Sequence, residues 1–134
     1  MTSSLDEIAL ISDSLQCYGE RHGDMAPRVY ERFFELNLEA AALMEYSDEY
    51  MRGRMFASTV ELFLSDEHFG PGGYLAWELE NHIKAYSATT AMYESLFQSM
   101  RDVLDRDLGA DWRPEWQEAW ANRIDRIMEQ VTAF

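Results

Sequence analysis

Apolar residues recur every three or four positions along almost the whole chain, the period of helices with one buried face. Ser3 or Ser4 can cap a first helix running to about Glu20, with Ile8, Ile11, Leu15 and Tyr18 on its inner side. Gly19 and Gly23 loosen the turn that follows. Asp24 then caps a second helix, with Pro27 in its first turn, where a missing N–H costs little. That helix buries Val29, Tyr30, Phe33 and Phe34, and Asn37 ends it. Leu38 to Met44 reads as a short apolar third helix.

Ser47 or Asp48 opens the next helix, which runs to about Leu64 with Met51, Met55, Phe56, Val60, Leu62 and Phe63 as its apolar surface. His68 and Gly70-Pro71-Gly72-Gly73 break the chain. Tyr74 to Tyr86 reads as one helix, in which Leu75, Leu79, His82 and Tyr86 share a side at spacings of four, three and four. Glu78, Glu80, Asn81 and Lys84 fall mostly away from that side, as a solvated face. Thr89 or Thr90 begins a long helix carrying Tyr93, Leu96, Phe97, Met100, Leu104 and Leu108, and Gly109 stops it. Asp111 and Pro114 open the last helix, where Trp116, Trp120, Ile127, Met128 and Val131 face in. No segment shows the strict alternation of a half-buried strand. The expected fold is all-α, six or seven helices in a single domain spanning residues 1–134.

Composition narrows the function classes. Ten arginines and Lys84 stand against 25 acidic residues, a formal net charge of −14. Such a surface repels nucleic acid and anionic membrane, so neither is an expected partner. Cys17 is the single cysteine and cannot close an internal disulfide, which fits a reducing cytoplasm. The first ten residues lack the basic and apolar regions of a secretory signal, and no apolar run is long enough to span a bilayer. There is no Gly-rich phosphate loop, CxxC pair or nucleophile elbow, and no close carboxylate pair suggests acid–base chemistry. The four tryptophans read as packing residues, and most of the eight methionines as core filler.

His82 carries the chemistry. An imidazole on the apolar face of a helix is either a core side chain bonded to a neighbour or a ligand to a metal or haem iron. Tyr30 likewise is either a core tyrosine or a hydroxyl aimed at a ligand.

The order of the segments resembles a globin. VYERFFELN at 29–37 looks like the tyrosine-bearing second helix of bacterial single-domain globins and flavohaemoglobins, and MRGRMFAS at 51–58 is similar to their distal helix. His82 follows where the proximal haem ligand is expected. LGADWRPEWQEAWANRI at 108–124 looks like the junction of the last two helices. The resemblance implies helices packed pairwise around a haem b pocket, with His82 as the iron ligand. Tyr30 would donate to a gas ligand, Met51 would stand at the usual distal glutamine or histidine, and Met55 one turn on. Arg54 would lie near the mouth, able to pair with a haem propionate. Phe33, Leu79, Tyr86, Tyr93 and Phe97 would line the pocket. Met44 stands where the family has a wedging phenylalanine, and the bend after His82 is one residue longer than usual. A register shifted by one would instead bring Arg52 and Phe56 to the distal positions.

The function so implied is binding of a diatomic gas, oxygen or nitric oxide. Oxidation of nitric oxide to nitrate would need an external reductase. Two rivals stay open: a haem-free globin-fold sensor or interaction protein, and an electron carrier in which Met51 or Met55 takes the sixth iron position. The paired-helix surfaces leave room for a homodimer.

Overall fold

The computed structural model describes residues 4–68, 73–85 and 87–133. Among them the chain is helical and holds no strand, in agreement with the all-α expectation. Seven α-helices follow in order: α1 (Ser4–His22), α2 (Ala26–Leu36), α3 (Leu38–Leu43), α4 (Glu49–Leu64), α5 (Tyr74–Leu79), α6 (Thr90–Leu108) and α7 (Pro114–Ala133). The six to seven helices of a globin-like fold are matched in number. No helix among the described residues is long and apolar enough to cross a membrane.

The caps explain most of the boundaries. Asp48 accepts from the Met51 N–H at 2.7 Å and starts α4, and Thr89 accepts from the Met92 N–H at 3.2 Å and starts α6. Asn37 ends α2 and begins α3, its side chain accepting from the Ala40 N–H at 2.9 Å. Gly109 stops α6 at φ +53°. Three boundaries differ from the sequence expectation. Asp24 is not the N-cap of α2, which is Met25 without a side-chain cap bond, although the Asp24 carboxylate accepts from the Ala26 N–H at 3.0 Å. Helix α1 runs straight through Gly19 to His22, and Gly23 alone, at φ +76°, supplies the stop. Asp111 does not open the last helix; it closes a 3₁₀ turn, Gly109–Asp111, and α7 starts at Pro114.

One core fills the space between α1, α2, α4, α6 and α7, with Ile11, Val29, Phe63, Met100, Val103 and Trp120 fully buried. Helix α2 packs chiefly on α6 and α4, and α1 on α7. Trp120 stacks tilted on Phe63 at 4.6 Å, and its indole N–H donates to Ser14 Oγ at 2.9 Å. The packing role expected of the tryptophans holds for Trp116 and Trp120 but not for Trp77, which is exposed because its helix has solvent on that side.

Arg123 lies in the core, fully buried on α7. Its guanidinium donates to the Leu62 carbonyl at 3.0 and 3.2 Å and to the Ser65 carbonyl at 2.6 Å, and it pairs with Asp66. Carbonyls at the end of a helix have no partner inside it. Arg123 supplies one from another helix, and its positive charge suits the negative end of α4. Helix α4 is thereby fixed against α7. Helix α5 adds Leu75 and Leu79 to the core, and a cavity lies between the end of that helix and α2, α4 and α6.

A histidine-bearing cavity as the candidate functional site

Helix α5 does not continue as α-helix to its end. From Glu80 to Ala85 it widens into a π-helix. A π turn absorbs one extra residue, and such turns recur at functional sites. His82 lies inside this π turn. Its exit is also one residue wide of the usual left-handed cap: Ser87 sits at φ +61°, and the Ala88 N–H reaches back to the His82 carbonyl at 3.0 Å.

The wider turn changes which residues share a side. Leu75 and Leu79 go into the core, 0% and 2% exposed. His82 instead faces a cavity of about 540 Å³ between α5, its π turn, α2, α4 and α6. Glu78, expected in solvent, is buried and lines the same cavity. It lies one turn before His82, on the same side of the helix.

The cavity walls are mostly apolar. Tyr30 and Phe33 come from α2, Met51, Met55, Thr59 and Leu62 from α4, and Met92, Tyr93, Leu96 and Phe97 from α6. Met44, Tyr46 and Ser47 come from the turn between α3 and α4. That turn is held by Arg52, which donates to the Ser47 carbonyl at 2.6 Å and to its hydroxyl at 3.1 Å. Met51 and Met55 face the cavity, whereas Arg52 faces away from it and Phe56 is in the core. Leu79 lies behind the wall, not on it. Arg54 is exposed on α4 with its guanidinium 5.8 Å from the Tyr50 ring, and it does not line the cavity. Tyr86 lies outside the described residues.

Four groups give the cavity its chemistry. Burial holds the His82 imidazole below its ordinary pKa, against an opposing hydrogen bond to the Glu78 backbone. The ring is thus mainly neutral at pH 7, the form in which imidazole binds metals. Its Nδ1 edge faces Glu78, whose Oε1 is 3.9 Å away. An imidazole oriented at one nitrogen by a backbone or carboxylate partner presents the other as a ligand.

Burial raises the Glu78 carboxyl from 4.5 to about 7. One of its oxygens and the Tyr93 hydroxyl are buried without a hydrogen-bond partner among the described residues. Burial, with the Glu78 charge adding, also lifts the Tyr93 hydroxyl well above its ordinary range. Burial pushes Tyr30 up to about 12, with Arg52 pulling down and Glu78 pushing up. Tyr30 therefore stays a proton donor at any physiological pH.

Eight of the eleven residues expected around a haem line this one cavity: Tyr30, Phe33, Met44, Met51, Met55, His82, Tyr93 and Phe97. The sequence reading missed Glu78, although its i−4 spacing from His82 was available as a signal. Among the described residues no three His, Cys, Asp or Glu side chains converge to hold a metal ion.

No known protein family's sequence profile matches the chain, and no curated protein matches it in sequence.

Proposed function

We propose that the chain is a globin-like haem protein that binds a diatomic gas, oxygen first, at iron held by His82. The observation that carries this reading is a neutral imidazole on the wall of a roughly 540 Å³ apolar cavity that also receives a protonated tyrosine hydroxyl from another helix. The volume lies in the range of small-molecule and cofactor sites, about 300–1,000 Å³. The residues fit the group: an apolar box for a macrocycle, one axial nitrogen and one hydrogen-bond donor. None of the described lining residues is an arginine or lysine, so the carboxylate tails would stay in water at the mouth, beside Leu43, Tyr46 and Met51.

When bound, haem b supplies a ferrous iron that takes oxygen, carbon monoxide or nitric oxide. His82 would fix the iron from the π turn, with Glu78 and the backbone setting its ring orientation. Tyr30 would donate a hydrogen bond to the gas and slow its escape. Phe33, Met55, Leu96 and Phe97 would keep water off. The likeness of VYERFFELN and MRGRMFAS to bacterial single-domain globins points the same way. Nitric oxide oxidation would still require electrons from a separate reductase.

A second reading has a specific observation in its favour. Both Met51 and Met55 line the cavity, so one thioether is available as a sixth ligand, as in electron-transfer haem proteins.

Titration of the purified protein with haem b separates the readings. Gas binding predicts one haem per chain, a shifted Soret band, and a five-coordinate ferrous form that takes up carbon monoxide. A six-coordinate low-spin ferrous form would favour the methionine ligand. No Soret shift would leave a haem-free interaction protein.

A further inference from the structure

Tyr30 belongs to two cavities. Between α2 and α4 lies a second cleft of about 390 Å³. Pro27, Phe34, Arg52 and Gly53 line it, and so does Tyr30. The same residue lines the main cavity. A group that fills the main cavity also fills its mouth at Leu43, Tyr46 and Met51, and closes the obvious way in. We infer that a neutral diatomic gas reaches the Tyr30 face of the site through the α2–α4 cleft, with the Tyr30 ring as the partition it passes; this rests on the haem-protein reading above.

Three observations support the route. The Tyr30 hydroxyl has no hydrogen-bond partner among the described residues, so no polar contact pins the ring. The ring meets Phe33 and Phe34 only at a tilt, with centroids 6.1 and 5.9 Å away. Gly53 stands in the second turn of α4, inside the helix, where glycine weakens it, yet no close approach demands it: a Cβ there would meet nothing within 4 Å. What the missing side chain does is leave the cleft open. The lining carboxylates Asp24, Glu31 and Glu49 keep the cleft wet and repel anions. A dissolved neutral gas is not excluded by either property.

Filling the cleft from Gly53 tests the route without altering the groups that would touch haem or gas. In Gly53→Leu and Gly53→Phe, carbon monoxide rebinding after flash photolysis of the haem-loaded protein should slow by about fivefold or more, with dissociation slowed by the same factor. The equilibrium affinity should not move, because a passage acts on both rates equally. A second readout needs no haem. Dissolved oxygen should enhance the relaxation of the Tyr30 and Ala26 amide protons in the native chain, and much less so in Gly53→Phe. Unchanged rebinding in folded, haem-loaded Gly53 variants would overturn the passage and leave haem binding standing. Oxygen relaxation at Tyr30 no greater than at buried amides of α7 would overturn it too. Failure of the native chain to take up haem would overturn both.

Discussion

Replacing Glu78 by Gln removes the one acidic group that lines the cavity among the described residues, and its effect on stability can be worked out from the carboxyl's environment. Burial raises the pKa from 4.5 to about 7. A carboxyl that binds its proton more tightly when folded stabilises the fold where it is protonated. That stability is fully present below about pH 4.5 and is lost as pH rises through 7. The difference between the two pKa values, at about 1.4 kcal/mol per unit, corresponds to roughly 3 kcal/mol. Glutamine keeps the shape and carries no charge at any pH. Glu78→Gln should therefore match the native protein at pH 4, gain on it steadily above that, and be about 3 kcal/mol more stable at pH 8. Urea unfolding of both proteins across that range measures the gap, and the other carboxylates cancel in the comparison. A gap that stays flat within about 0.5 kcal/mol would mean that Glu78 is solvated, and the cavity wall around His82 would have to be redrawn.

Arg123→Ala should cost about 3–5 kcal/mol in urea unfolding, since it strands the Leu62 and Ser65 carbonyls at the end of α4; a loss below about 1 kcal/mol would make the buried guanidinium dispensable. Ser87→Gly should raise stability by about 0.5–1 kcal/mol by relieving a left-handed serine, and a loss of stability there would refute the strain. Tyr30→Phe should leave folding stability within about 0.5 kcal/mol, because its hydroxyl has no partner among the described residues, while oxygen dissociation quickens about tenfold. An unchanged dissociation rate in stopped flow would reduce Tyr30 to a packing residue.

The helices were legible because each buries a stripe that repeats every three or four residues, and because Asp48, Thr89 and Gly109 carry their cap chemistry in their side chains or lack of one. The residues around the cavity were legible where regular α geometry holds, as for Tyr30, Met51, Met55 and Phe97. Glu78 was not, because Leu75 and Leu79 mark the apolar side of its helix and Glu78 lies beside it, a carboxylate that periodicity assigns to solvent; its i−4 spacing from His82 was the signal passed over. Arg123 was hidden for another reason. Its partners are the last carbonyls of α4 and Asp66, about sixty positions earlier in the chain, and no local spacing announces them. Arg54 was placed at the mouth on the strength of resemblance alone; in the fold it lies over Tyr50, outside the cavity.

The central claim is that the His82 imidazole is the axial ligand of a haem iron. The ferrous visible spectrum of His82→Gly, recorded after haem loading with and without added imidazole, tests it most directly. His82 as ligand predicts an altered or lost ferrous band that free imidazole restores, by filling the space the side chain leaves in the cavity. A spectrum identical to that of the native protein, unmoved by imidazole, would contradict it.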